Sequence, residues 1–171
     1  MIKTFFISDT HLSHQNILKF EPYHRPFDTI DEHDQELIKR WNSVVREKDI
    51  VYHLGDVIFG KDNMWKLGHL NGDKRLVMGN HDCYQTASYL QYFTKLYGCL
   101  QWQGFCVLSH IPVHPDQLQN RFKYNIHGHK HSHVVLDKFG KPDPRYINVS
   151  VEQINLTPID WEVLKKRMEI L

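Results

Sequence analysis

The sequence predicts an α/β protein whose reactive groups collect along one edge of a sheet. Short apolar runs recur as candidate strands, segments with helical spacing lie between them, and five of the runs end in Asp, Asn or His. Phe5-Phe6-Ile7-Ser8 leads into Asp9 and His11, and Ile50-Val51-Tyr52-His53-Leu54 leads into Gly55-Asp56. Arg75-Leu76-Val77-Met78 leads into Gly79-Asn80-His81-Asp82, and Phe105-Cys106-Val107-Leu108 into Ser109-His110. Tyr124-Asn125-Ile126 runs into His127-Gly128-His129-Lys130-His131. Ligands of open α/β sheets bind outside the carboxyl ends of the strands, so this pattern predicts a metal site at that edge.

In chain order, the first strand is expected over Ile2 to Ser8, followed by a connection from His11 to Asp28. Connections of that length in compact domains commonly carry function. Pro22 and Pro26 restrict this one and Phe20, Tyr23 and Phe27 are expected to anchor it as an ordered wall of the site. Thr29-Ile30-Asp31-Glu32 is a capping-box pattern opening a helix, with Leu37, Ile38, Trp41, Val44 and Val45 as its buried stripe. A strand over Asp49 to Leu54 and a weaker helix around Asp62 to Leu70 follow, ended by Asn71-Gly72-Asp73. Thr86 to Phe93 suggests another short helix, and Cys99 to Trp102 with Phe105 to Leu108 a hairpin around Gln103-Gly104. Val134-Val135-Leu136 and Arg145 to Val151 read as further strands. Thr157 is the expected cap of a last helix, with Pro158 at its first position and Trp161, Leu164, Met168 and Leu171 inward.

Residues 1–171 read as a single domain, large enough for a proper core and without repeats or linkers. Charged residues make up 24% of the chain and the formal net charge is +1, which argues against duplex nucleic acid as a partner. No segment has the length and apolarity of a membrane span, and no basic amphipathic helix suggests a lipid surface. Three cysteines, Cys83, Cys99 and Cys106, fit a reduced, cytoplasmic protein better than a disulfide framework.

Histidine is over-used, at 13 residues, and scattered rather than gathered in a tail. Asp9, His11, Asp56, Asn80, His110, His129 and His131 are the candidate metal ligands. This oxygen and nitrogen set without thiolate suits Mn²⁺, Fe, Zn²⁺ or Ni²⁺. Seven groups exceed what one ion takes from protein, so two divalent ions are expected, with Asp56 able to bridge them. His81 remains as a proton donor to a leaving oxygen, with Asp82 orienting its ring. His14, Asn16 and Arg25 are candidates for substrate binding, Arg25 because a guanidinium matches phosphate oxygens bidentately. For Arg25 an ordering role within the loop is an equal alternative. His53 and His127 read as core or supporting residues, His33 and His69 as solvated helix positions. Trp102 and Tyr84 read as core in preference to base-stacking residues.

Asp9-Thr10-His11, Gly55-Asp56, Gly79-Asn80-His81-Asp82, Ser109-His110 and Gly128-His129-Lys130-His131, in this order, resemble the calcineurin-like metallophosphoesterase superfamily. With Asp9 to Ile17 and the short chain, the likeness is greatest to small bacterial and phage phosphoesterases. The resemblance implies two mixed β-sheets packed as a sandwich flanked by α-helices, with a dinuclear metal centre at the strand ends. It implies Asp9, His11, Asp56 and His131 around one metal, Asp56, Asn80, His110 and His129 around the other, and His81 as general acid. The expected activity is hydrolysis of a phosphate ester by a hydroxide bridging two ions, with Mn²⁺ the first candidate metal. The expected substrate is a small soluble molecule, such as a nucleotide or short oligonucleotide, with no obligate protein partner. An alternative of another class is a non-catalytic protein-binding scaffold on the same fold, which would have no reason to keep Asp9, His11, Asn80 and His81 together.

Overall fold

The computed structural model describes residues 1–169, in which the apolar runs form two sheets. The first contains β1 (Thr4–Ile7), β2 (Ile50–His53), β3 (Asp73–Val77), β4 (Lys95–Tyr97) and β9 (Ile159–Asp160), in the order β4-β3-β2-β1-β9. Its first four strands run parallel and β9 pairs antiparallel with β1. The second contains β5 (Leu100–Trp102), β6 (Cys106–Leu108), β7 (Tyr124–His127) and β8 (Tyr146–Asn148) in sequence order. There β5 and β6 form the expected hairpin and β6, β7 and β8 run parallel. The architecture is therefore α/β with two mixed sheets and helices.

The inner faces share one core. Phe6 and Tyr52 of the first sheet meet Trp102 of the second at ring distances of 5.6 and 4.9 Å. Both Trp102 and the half-buried Tyr84 pack against this core, as the sequence suggested. A parallel bridge between Ser8 and Ser150 joins the sheets just behind the carboxyl end of β1.

Helix α1 (Ile17–Phe20) lies in the long first connection, and α2 (Ile30–Val44) follows with its capping box formed between Thr29 and Glu32. Leu37, Trp41 and Val45 are fully buried and Ile38 partly so. Val44 departs from the expected stripe: it ends the helix and lines an open groove with Lys3 and Phe5, where solvent reaches it. His33, expected in water, is buried, because it sits one turn before Leu37 on the same face. His69 is exposed as expected. The connection itself is held by Ile17, Phe27 and Arg25, while Phe20 and Tyr23 stand in solvent and do not anchor it.

Several boundaries moved. The segment Lys61–His69 winds as a 3₁₀-helix, and α3 is a single turn, Thr86–Tyr89. The stretch at Val134 to Leu136 forms one bridge, Leu136 with Pro142, and not a strand. Ile159 and Asp160 pair with Phe6 and Phe5, so α4 (Trp161–Glu169) starts later than expected. Asp160 rather than Thr157 caps it, accepting the Glu162 N–H at 2.9 Å. Leu164 and Met168 face inward, and Leu171 lies outside the described residues. The three cysteines are free, and no helix among the described residues is long and apolar enough to cross a membrane.

Burial gives one histidine of β2 a measurable consequence. His53 accepts the Gly55 N–H on Nδ1 and lies 2.9 Å from the Thr10 hydroxyl through Nε2. A second proton on the ring would break the first bond, and burial pushes its pKa down to about 3 from 6.5. Below pH 6.5 the unfolded chain binds a proton that the native ring refuses, so stability falls as the pH drops toward 3. This group alone accounts for about 1.4 kcal/mol per pH unit inside that window. Urea unfolding across the window should lose more stability per pH unit in the wild type than in His53→Gln, and the His53 ring proton resonances should stay untitrated until the fold fails.

Candidate metal centre

Five strand ends deliver the candidate ligands, and the backbone takes an unusual course to present them. Asp9, His11, Asp56, His129 and His131 all have φ between 46° and 66°. Left-handed backbone costs a side-chain-bearing residue roughly 1–2 kcal/mol, and its concentration at one place is a mark of a functional site. Glycine serves a different need here. A Cβ on Gly128 would lie 1.9 Å from Ser8 Oγ and 2.4 Å from Asp9 Oδ2, and one on Gly79 would lie 2.3 Å from Asp56 Oδ1. The two carboxylates reach their positions because these neighbours have no side chain.

The ligand atoms fall into two groups, each with its atoms within 4.8 Å of one another: Asp9, His11 and His131, and Asp56, His110 and His129. Asp56 links them, since its Oδ2 is 3.7 Å from His11 Nε2 and 3.2 Å from His110 Nε2. Asn80 joins the second group through Oδ1, 3.0 Å from His110 Nε2. The structure thus gathers all seven candidates, with Asp56 between the two groups.

Carboxylates and imidazoles face one another closely within the cluster. His110 Nδ1 faces the Leu54 carbonyl at 2.7 Å and must carry a proton there. Its Nε2 then faces two oxygens, of Asp56 and Asn80, neither of which is a donor. His131 repeats the pattern, with Nδ1 3.0 Å from Glu152 Oε1 and Nε2 3.8 Å from Asp9 Oδ1. Burial would lower both imidazole pKa values, but the neighbouring carboxylates outweigh it and raise them. His11 goes the other way: burial and the surrounding positive charge hold it well below the usual histidine range. Both of its ring nitrogens are buried without a partner. A neutral, orphaned imidazole beside two carboxylates fits a metal ligand, and the donor set as a whole fits two divalent ions.

Around these groups stand residues that fix them. Asp9 accepts the His129 N–H on both oxygens, at 2.9 and 3.1 Å, and the Ser150 hydroxyl at 2.8 Å. Burial still raises its pKa. Glu152, which gave no signal in the sequence, holds His131 from behind. Its Oε1 also accepts Arg25 Nε at 2.8 Å and Nη2 at 2.6 Å. Arg25 in turn donates to the carbonyls of Asp9 and Thr10 and contacts His33. The third close grouping, Glu21, His131 and Glu152, shares this histidine, and Arg25 already neutralises Glu152.

Two of the functional expectations need correction. Arg25 is 1% exposed and committed to Glu152 and two backbone carbonyls, so it orders the loops and does not bind substrate. Asp82 does not orient the His81 ring: its oxygens accept the N–H groups of Asp56, Val57 and Gly79, which ties the second and third strand ends together. Asn16 is exposed at the start of α1, and its side chain bonds to none of the site residues. His14 does lie at the site, 5.5 Å from the His11 ring and 4.0 Å from Phe59. His81 is exposed at the rim, its backbone N–H held by Asp56 Oδ1 at 2.9 Å and its ring 5.9 Å from that of His11. His53 and His127 are both buried behind the strand ends, in supporting positions.

No protein-family model matches the chain. It is 39% identical to the uncharacterized protein MJ1445 of Methanocaldococcus jannaschii, over 99% of this chain and 93% of that protein. It is 31% identical to the gene 66 protein of Mycobacterium phage L5, again over 99% of this chain and 93% of the relative. Among solved structures it superposes on a protein of unknown function from Aquifex aeolicus with a TM-score of 0.74. That match has 28% identity and covers 97% of this chain and 99% of the other. The chain belongs to the same family as the Methanocaldococcus and phage L5 proteins.

The Arg25 correction has a direct check. Replacing Arg25 with Met leaves the buried Glu152 with His131 as its one remaining charged partner and takes the donors from the Asp9 and Thr10 carbonyls, and the expected loss is about 3–5 kcal/mol of unfolding free energy. An unchanged denaturation midpoint would return Arg25 to the substrate side of the ledger.

Proposed function

We propose that the chain is a metal-dependent phosphoesterase of the calcineurin-like metallophosphoesterase class, acting on small soluble phosphate esters. The observation that carries this reading is the pair of ligand groups sharing Asp56, with imidazole nitrogens facing oxygens that have no proton to give. The two-sheet α/β architecture with ligands at the strand ends is the arrangement expected of that class.

Asp9, His11, Asp56 and His131 would hold one divalent ion, and Asp56, Asn80, His110 and His129 the other. Such an ion pair, Mn²⁺ in the first instance, supplies an activated water and positive charge for a phosphoryl group. The protein's own part begins with rigidity. Arg25, Glu152 and Asp82 fix the loops, so the ligands are positioned before any substrate arrives.

His81 is the candidate general acid. It stands at the rim with an exposed ring, and its side chain is not among those that gather as ligands. Phe59 supports the ring from one side at 5.3 Å, and the bond from its backbone N–H to Asp56 fixes where it starts. A proton delivered from this imidazole to the departing oxygen matters most for alkoxide leaving groups, so phosphodiesters are the favoured class over activated monoesters. His14 faces the same space and is a candidate for contact with substrate oxygens.

The experiment is hydrolysis of a phosphodiester and a phosphomonoester reporter by metal-stripped protein refilled with Mn²⁺, alongside metal analysis. Asp56→Ala should lose both ions and all turnover. His81→Ala should keep its metals and lose roughly 10²–10⁴-fold in rate on a poor leaving group. Wild-type protein that takes up no metal and turns over neither reporter would overturn the reading.

A further inference from the structure

A cleft of about 330 Å³ opens beside the second ligand group, walled in part by Asn80 and His110 themselves. That size sits at the small end of ligand clefts, roughly 300–1,000 Å³. Its other side chains are those of Met78, Ser109 and Ile111, and among the described residues no charged side chain lines it. Ser109 is already engaged: its hydroxyl donates to the Ile111 carbonyl at 2.7 Å and accepts from the Asn125 amide at 3.0 Å. Beyond the two ligands, then, what the wall offers an occupant is apolar. It consists of the half-buried Met78 and of Ile111, which is 52% exposed one residue after His110.

Gly98 completes this wall, and neither backbone nor packing accounts for it. The Met78 N–H donates to the Tyr97 carbonyl at 2.8 Å, which sets Gly98 beside the end of β3. Its φ lies outside the left-handed region, so the conformation does not call for glycine. A Cβ at Gly98 would meet no atom within 4 Å, whereas one at Gly79 would run into Asp56. What the missing side chain leaves is open space at the cleft.

We infer that this cleft receives the ester substituent that stays on phosphorus, an uncharged, ring-sized apolar group, and that Gly98 sets the size it can have. The assignment rests on the phosphoester reading and narrows its substrate to a phosphodiester with no further phosphate on the retained side. A phosphoryl group held by Asn80 and His110 has the cleft as its immediate neighbour. His81 stands elsewhere, with His11 and Phe59 as its ring neighbours, so the departing oxygen and the cleft occupant belong to different substituents. A monoester has no second substituent to place there. Burial of a ring against Ile111 and the Met78 thioether is favourable, and a second phosphate would find no lysine or arginine in the wall. In the reaction one water adds its oxygen to phosphorus and the bond to the departing oxygen breaks. That oxygen takes a proton from His81, which the attacking water's proton replaces. The products are an alcohol and a phosphomonoester that still carries the group in the cleft.

The test compares two para-nitrophenyl reporters that differ only in the group left on phosphorus, the phenylphosphonate and the methylphosphonate. Wild-type protein loaded with Mn²⁺ should prefer the phenyl reporter by about tenfold or more in kcat/KM. Gly98→Leu should bring that ratio close to one, and Gly98→Ala should fall between. Unchanged metal content and an unchanged amide spectrum would establish that both variants fold. Binding is read separately by carbon-13 NMR of methyl groups in protein loaded with Zn²⁺, which is diamagnetic. Phenylphosphonate, an unreactive mimic of the retained product, should shift the Met78 and Ile111 methyls through its ring, and methylphosphonate should not. In protein that binds metal and turns over the reporters, equal rates on the two would overturn the cleft assignment alone. So would a phenyl preference that survives Gly98→Leu, or Met78 and Ile111 methyls that ignore phenylphosphonate. Protein that takes up no metal and hydrolyses neither reporter would overturn the phosphoester reading and the assignment with it.

Discussion

The buried pair of Arg25 and Glu152 is the contact on which the candidate site depends. One guanidinium spans two loops that are 127 residues apart, and through them it reaches the Asp9, His11 and His131 group from two sides. On one side it holds the Asp9 and Thr10 carbonyls in a left-handed turn that would otherwise be strained. On the other, Glu152 fixes the His131 ring so that Nε2, and not Nδ1, faces the cluster. Such second-layer carboxylates set both the tautomer and the orientation of a ligating imidazole. Asp82 does the same work elsewhere, closing three backbone N–H groups onto one carboxylate between the second and third strand ends.

What the sequence made legible was the set of groups that must meet water, metal or a strand end. Asp9, His11, Asp56, Asn80, His110, His129 and His131 each follow an apolar run, and period and punctuation are local signals. The capping box at Thr29 and the hairpin at Gln103-Gly104 were readable for the same reason. What stayed illegible was pairing over distance. Arg25 in a polar loop reads as a hand held out to substrate until Glu152 is brought beneath it. His33 reads as a surface residue until Arg25 and Asp34 are seen on either side of it. β4 is three residues long, with Leu96 and Tyr97 both only half-buried, too little for a pattern, and β9 was hidden inside what read as a helix start. In that last case strand pairing with β1 overrode good capping chemistry at Thr157.

The tight approaches at Gly79 and Gly128 show how little freedom the arrangement has. Each removes a side chain so that a carboxylate can lie against backbone, and each such carboxylate is a candidate ligand. Close packing of this kind leaves the acids less than ordinary room to move apart when they repel one another. Their mutual repulsion is balanced by hydrogen bonds from Ser150, from backbone N–H groups and from the nearby imidazoles. The chain has thus placed its negative charge where the backbone holds it fixed, which is the preorganisation that a tightly bound cation exploits.

Each ligand group draws on both sheets. Asp9 and His11 follow a strand of the first sheet and meet His131 from the second, while Asp56 from the first meets His110 and His129 from the second. During synthesis the first sheet's four parallel strands emerge before any of those partner histidines. A ribosome-bound chain that ends before residue 129 carries the acids of both groups without the full imidazole complement of either. Neither group can therefore be complete until the chain has passed His131 and the second sheet lies against the first.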